Sequence, residues 1–129
     1  MRYLSRGFAV STIRRGTVVA QLLGGYLDGA RRGLRVLTVE PDEDAYCVYV
    51  HEIEDVGGPE VAEFPPWSAD GGDAVVCSDT PEAVLSFAEQ QLDADPERWI
   101  NGSMLDDEYG DYVRAGRPPT LSPPPDRLP

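Results

Sequence analysis

Between Leu34 and Val56 the chain carries two runs that suit paired strands better than any other regular structure. Leu34-Arg35-Val36-Leu37-Thr38-Val39-Glu40 and Ala45-Tyr46-Cys47-Val48-Tyr49-Val50-His51-Glu52-Ile53 are rich in β-branched and aromatic residues. Pro41-Asp42-Glu43-Asp44 between them is turn chemistry. An antiparallel hairpin is expected. In its second strand Tyr46, Val48 and Val50 share one face, and Cys47, Tyr49, His51 and Ile53 the other. Both faces carry apolar side chains, so the hairpin belongs inside a sheet and not at its margin.

The rest of the chain is read around that hairpin. Phe8 to Ile13 is expected as a short first strand. Thr17 is expected to cap a short helix carrying Val18, Val19, Leu22 and Leu23 on one side, which Gly24-Gly25 ends. Asp28 to Gly33 reads as a polar connector. Beyond the hairpin, Glu60 to Glu63 reads as a brief strand, Pro65-Pro66 imposes an extended segment, and Ala74-Val75-Val76-Cys77 resumes as a strand. Asp79 and Thr80 are cap candidates for a helix whose stripe is Val84, Leu85, Ala88 and Leu92. Asp95-Pro96-Glu97 then turns the chain so that Trp99 and Ile100 go inward. A last helix is expected from a Ser103 cap, with Leu105, Tyr109, Tyr112 and Val113 on one face and Gly116 as its stop. The fold class is therefore α+β: an antiparallel sheet built on the central hairpin (34–56), with a short N-terminal helix and two C-terminal helices packed on one face. Residues 1–116 form a single domain, and the Pro-rich stretch 117–129 is expected to be a disordered tail.

At 129 residues one core suffices. The formal net charge of -12 disfavours a duplex-binding surface, which needs a basic face, and favours a basic partner. The charge is uneven. Residues 1–35 hold seven Arg and one Asp, and the remainder holds four Arg and twenty-two acidic residues. Arg14 and Arg15 break the apolar residues before a secretory h-region can form, and no apolar run reaches the length of a membrane span, so a cytoplasmic protein is expected. Cys47 and Cys77 are too few for a disulfide framework. A reduced pair is the default, with a bridge open to them if the strand carrying Cys77 lies beside the hairpin.

The candidate chemistry is sparse. Asp106, Asp107, Glu108 and Asp111 cluster on the last helix, where carboxylates near a helix N-terminus complement its dipole. They read as a solvated surface or as an acidic face for a partner. The Asp-rich turns lack the order of a calcium loop, and one His with two Cys does not make a zinc set, so neither metal nor cofactor is expected. His51, the single histidine, is a satisfied strand residue or, with neighbouring carboxylates, the base of a small hydrolase or transferase. Trp67, after two prolines, either packs over the core edge or anchors a partner.

Arg15-Gly16-Thr17, the hairpin end His51-Glu52-Ile53-Glu54-Asp55-Val56-Gly57, Glu63-Phe64-Pro65-Pro66, and Trp99-Ile100-Asn101 followed by Asp107-Glu108-Tyr109 resemble small uncharacterised proteins of high-GC actinobacteria. No activity comes with that likeness. More loosely, an acidic α+β domain ending in Gly116-Arg117-Pro118 is similar to immunity proteins of bacterial polymorphic toxin systems, although the Trp that follows the Arg-Pro pair in one such family has no counterpart here. The acidic excess beyond residue 35, with no nucleophile, metal set or phosphate loop in the sequence, points to a non-enzymatic protein-binding module with an acidic face for a basic partner, and the second resemblance implies an immunity-type inhibitor of a basic toxin or nuclease. Trp67, Asp106, Asp107, Glu108 and Asp111 are the expected partner-binding residues of that module. The other readings are the His51 enzyme and a regulatory or structural protein.

Overall fold

The computed structural model of the chain describes residues 2–55 and 73–122. Its elements are α1 (Arg6–Arg14), β1 (Val19–Asp28), β2 (Arg31–Asp42), β3 (Ala45–Glu54), β4 (Asp73–Ser78), α2 (Pro81–Gln91), β5 (Ile100–Asn101), a 3₁₀ turn at Gly102–Met104, and α3 (Leu105–Arg114). The strands form one five-stranded antiparallel sheet in the order β4-β3-β2-β1-β5, so the fold is α+β with the β2–β3 hairpin in its interior. Leu34 pairs with Ile53 and Asp42 with Ala45, leaving Glu43 and Asp44 as the turn, with Glu43 in the left-handed region at φ 55°. Pro41 is tolerated inside β2 because β1 begins only opposite Val39, so at Pro41 the strand has a neighbour on one side.

The N-terminal third exchanges the two expected elements. Phe8 to Ile13 is helix, not strand. Ser5 accepts a hydrogen bond from the Phe8 N–H as the cap, and Ala9, Thr12 and Ile13 are buried at helical spacing. Gly16, at φ 88°, ends α1: its N–H donates to the Ile13 carbonyl and the Thr17 N–H to the Thr12 carbonyl, a Schellman closure. Thr17 thus follows one helix instead of starting another. Val19 to Leu23 is strand, and Gly24-Gly25 is not a helix stop. Gly24, at φ 145°, sits where the β1–β2 register shifts, and a Cβ on Gly25 would lie 1.8 Å from the Tyr112 hydroxyl. The expected connector at Asp28–Gly33 shrinks to a turn at Gly29-Ala30.

Strand alternation sorts the helices onto opposite faces. Val19, Leu37, Val39 and Val48 pack with Ala9 and Ile13 of α1, Val84, Leu85 and Ala88 of α2, and Trp99. Ala20, Val36 and Ile100, with half-buried Ile53, pack with Leu105 of α3. The two C-terminal helices therefore do not share a face: α3 lies across the sheet from α1 and α2. Thr80, not Asp79, caps α2, and Asn101 in place of Ser103 accepts the backbone N–H ahead of α3.

Two further expectations fail. Cys47 and Cys77 stand directly opposite in the β3–β4 ladder with Cα atoms 4.1 Å apart, and they are joined as a disulfide instead of a reduced pair. Residues 117–122, expected to be loose, are held. Arg117 is ion-paired to Asp55, Pro119 bridges to Gly25, and the Leu121 N–H donates to the Gly25 carbonyl. The chain therefore continues to pack past residue 116. The expected strand at Glu60–Glu63, the Pro65-Pro66 segment and Trp67 lie outside the described residues, as do residues 123–129. No helix among the described residues is long and apolar enough to cross a membrane.

Candidate functional site

The acidic residues of α3 do not act as one face. Glu108 is buried, and Arg2 and Arg98 each bind one of its oxygens at 3.2 Å. Asp111 is exposed and held by Arg2 at 2.7 Å and Arg114 at 2.5 Å, and these hydrogen bonds, Arg2 first, keep its carboxyl below the ordinary carboxylate value. Arg98 also donates to the Tyr3 hydroxyl at 3.0 Å and stands over the Tyr3 ring at 5.0 Å. Burial, then Glu108, pushes that hydroxyl's pKa up. Asp106 and Asp107 remain exposed at the start of the helix. Thus two of the four expected residues are tied to arginines from the chain's start and from the segment before β5, and two face solvent. The basic N-terminal third folds against the acidic remainder. Arg6 pairs with Glu89, Arg14 with Glu82 at 3.3 Å, and Arg35 with Glu52 at 2.7 Å.

Strand register collects other acidic residues that spacing along the chain does not reveal. The β2–β3 turn presents Asp42, Glu43 and Asp44. Ser78 pairs with Tyr46, and Tyr46 with Pro41, so β4 leaves the sheet at that same end and delivers Asp79 there. Val19 pairs with both Val39 and Asn101, and the Gly102 N–H donates to the Val18 carbonyl, so α3 starts toward that end with Asp106 and Asp107. All six of these acidic side chains are exposed. Nearby Glu40 is half-buried, and desolvation, then the Asp42 charge, raises its pKa. Arg14 approaches from the end of α1 but is engaged with Glu82.

The opposite end is organised by a buried polar cluster that the sequence did not signal. Asp55, just past β3, accepts from the Tyr109 hydroxyl at 2.5 Å and from Arg117 Nε at 2.9 Å, while Arg117 also donates to the Tyr109 hydroxyl at 3.1 Å. The Asp55 and Arg117 side chains are 0% and 7% exposed. A shared i, i+4 or cross-strand spacing would have been a signal, but partners 62 residues apart in sequence leave none.

His51 is only 3% exposed, with Nε2 2.9 Å from the Thr38 hydroxyl, and burial lowers its pKa. Among the described residues no three His, Cys, Asp or Glu side chains gather in a way that could hold a metal ion. The clefts among the described residues include the following pair. One, of about 280 Å³, lies between Leu22, Leu23 and Gly24 of β1 and Arg98, Glu108, Asp111 and Tyr112. The other, of about 160 Å³, lies beside the β1–β2 turn and the end of β3. The sequence matches no family model, no curated protein and no solved structure.

Proposed function

We propose that the chain is a non-enzymatic protein-binding module that docks a basic partner, in the manner of an immunity-type inhibitor of a basic toxin or nuclease. The observation that carries this reading is the placement of three acidic segments, the β2–β3 turn, the β4–α2 junction and the start of α3, at the same end of the sheet, spread from one edge to the other. Charge collected from separate elements sums into a field that accelerates encounter with an oppositely charged surface. Asp106 and Asp107 keep their place in this surface. Glu108 and Asp111 serve chiefly to fix α3 through Arg2. Trp67 remains a proposed anchor.

The test begins with cross-linking in the native host to recover the partner, followed by stopped-flow association over a range of salt. Wild-type association is expected to slow steeply as salt rises. Asp106→Lys with Asp107→Lys is expected to associate about tenfold more slowly, with a flatter salt slope. Equal rates for the two proteins at low salt would discard the acidic end as the docking surface.

A further inference from the structure

We infer that the Cys47–Cys77 disulfide is a redox-sensitive latch on the edge of the sheet: exchange with a thiol reductant releases β4 while the rest of the fold stays closed. The inference goes beyond the docking surface proposed above, and its test uses no partner. The latch joins a shielded residue to an open one, since Cys47 is 1% exposed and Cys77 stands exposed on β4.

Three observations carry it. First, β4 is the terminal strand at one margin of the sheet, so among the described residues only β3 pairs with it. That ladder is short and its register shifts between Val48 and Tyr49, whereas the β2–β3 ladder runs without interruption from Gly33 opposite Glu54 to Asp42 opposite Ala45. Second, β4 buries little. Among the described residues Val76 is the one β4 side chain packed against an apolar cluster, and it is only partly buried, while Ala74 is exposed and Val75 is 43% exposed. The helix that follows has its own anchors in Val84, Leu85 and Ala88 and its own cap in Thr80, so α2 stays docked when β4 leaves. Few buried contacts and a neighbour on one side place β4 at the low-stability end of the fold. Third, the link is within reach of a reductant. With Cys47 shielded, attack falls on Cys77: a thiolate bonds to the Cys77 sulfur, the S–S bond breaks, and the Cys47 sulfur leaves with the electron pair and takes up a proton. A second thiolate then attacks the reductant's sulfur in the mixed disulfide and Cys77 leaves as thiolate. Two reductant thiols are oxidised to a disulfide, and one protein disulfide is reduced to two thiols. What the departing strand uncovers is the outer row of β3 backbone N–H and C=O groups, an edge open to pairing with another strand.

The test is two-dimensional NMR of the isotope-labelled full chain under native conditions, first oxidised, then with excess dithiothreitol, then returned to oxidised glutathione. In the reduced chain the amides from Ala74 to Ser78 are expected to take unstructured chemical shifts and to exchange with solvent roughly a hundredfold faster or more. The signals of α1, β2 and α2 are expected to keep their native dispersion, and reoxidation to restore β4. Cys47→Ala with Cys77→Ser is expected to match the reduced state without reductant and to show no response to dithiothreitol. If that variant fails to fold, the redox cycle on the wild-type protein decides the matter alone. Strand shifts retained by β4 in the reduced chain would overturn the latch. So would loss of the native spectrum as a whole on reduction, or a bond that dithiothreitol leaves intact in the folded chain. None of these results depends on whether a basic partner docks at the acidic end.

Discussion

Where α1 and α2 cover the sheet, the contact is apolar and closed: Val19, Leu37, Val39 and Val48 are fully buried against Ile13, Val84, Leu85 and Trp99. Where α3 covers it, the apolar cluster is smaller, and much of the attachment is polar, through Arg2 and Arg98 on Glu108 and through Asp55, Tyr109 and Arg117. The first face is stabilised by non-directional burial, which many side chains of similar volume supply. The second depends on matched pairs, in which each charged group is tolerable only while its partner is present. The difference also bears on attachment. On the α3 side, a charge pair holds the chain beyond the last helix against the end of β3.

Two substitutions of comparable size separate these modes. Trp99→Ala empties a fully buried site whose indole N–H donates to Glu89 at 2.9 Å, and it is expected to cost about 3–5 kcal/mol in urea denaturation. Arg117→Ala strands the Asp55 carboxylate and is expected to cost a similar amount, about 3–5 kcal/mol. The distinction lies in rescue. Replacing Asp55, Tyr109 and Arg117 together by Leu, Phe and Met is expected to recover most of the second loss, since the buried charges vanish as a set. No neighbouring apolar change is expected to recover the first without refilling the volume. If the triple variant is as unstable as Arg117→Ala, the α3 side is held by packing and the contrast between the faces fails.

The disulfide tests the same contrast at the outer edge of the sheet. Cys47 lies on the α3 side of β3 and Cys77 on the exposed edge strand, 30 residues apart in sequence. Closing a loop of that length removes unfolded-state entropy worth about 3–4 kcal/mol, so Cys47→Ala with Cys77→Ala is expected to lower stability by up to that amount. Thermal melts of the wild-type chain with and without a thiol reductant should differ in the same direction. Coincident melts would mean that the β3–β4 ladder holds without the link.

Legibility in the sequence followed burial. The β2–β3 hairpin was readable because its β-branched and aromatic runs were long and bracketed by turn residues, and α2 because Val84, Leu85 and Ala88 keep helical spacing behind a Thr80 cap. β1 was misread as a helix because Val19 to Leu23 is at least partly buried on both faces, which erases the alternation that marks a strand, and because Gly24 and Gly25 imitate a helix stop while serving a register shift and a close approach of Tyr112. α1 was misread because the β-branched residues in Phe8–Ile13 outweighed the Ser5 cap and the Gly16 terminator. For the cysteines, the compartment default outweighed a pairing that only the strand register could supply. Of the candidate site, the net charge and the acidic start of α3 were visible. The engagement of Glu108 by Arg2 and Arg98 and the placement of the acidic turns at one end of the sheet arise from contacts distant in sequence, for which a single chain carries no local pattern.

The smallest expected effect is one of pH, and it concerns the polar side of the sheet. His51 is buried beside Thr38, and desolvation lowers its pKa from the ordinary 6.5. The folded state therefore takes up a proton less readily than the unfolded chain. Above about pH 6.5 the imidazole is neutral in both states and the contribution is fully present. As pH falls below that value the unfolded chain binds the proton first, and stability declines until the folded value is reached. One proton limits this slope to about 1.4 kcal/mol per pH unit. The Asp111 carboxyl, held low by Arg2 and then Arg114, acts only in a separate window that opens below its ordinary 3.8. Urea midpoints at pH 7.5, 6.5 and 5.5 should thus fall for the wild-type protein and fall less for His51→Gln, which retains a group able to meet the Thr38 hydroxyl. Parallel curves for the two proteins would show that His51 titrates alike in both states, and the polar side of the sheet would then owe its acid sensitivity to its carboxylates alone.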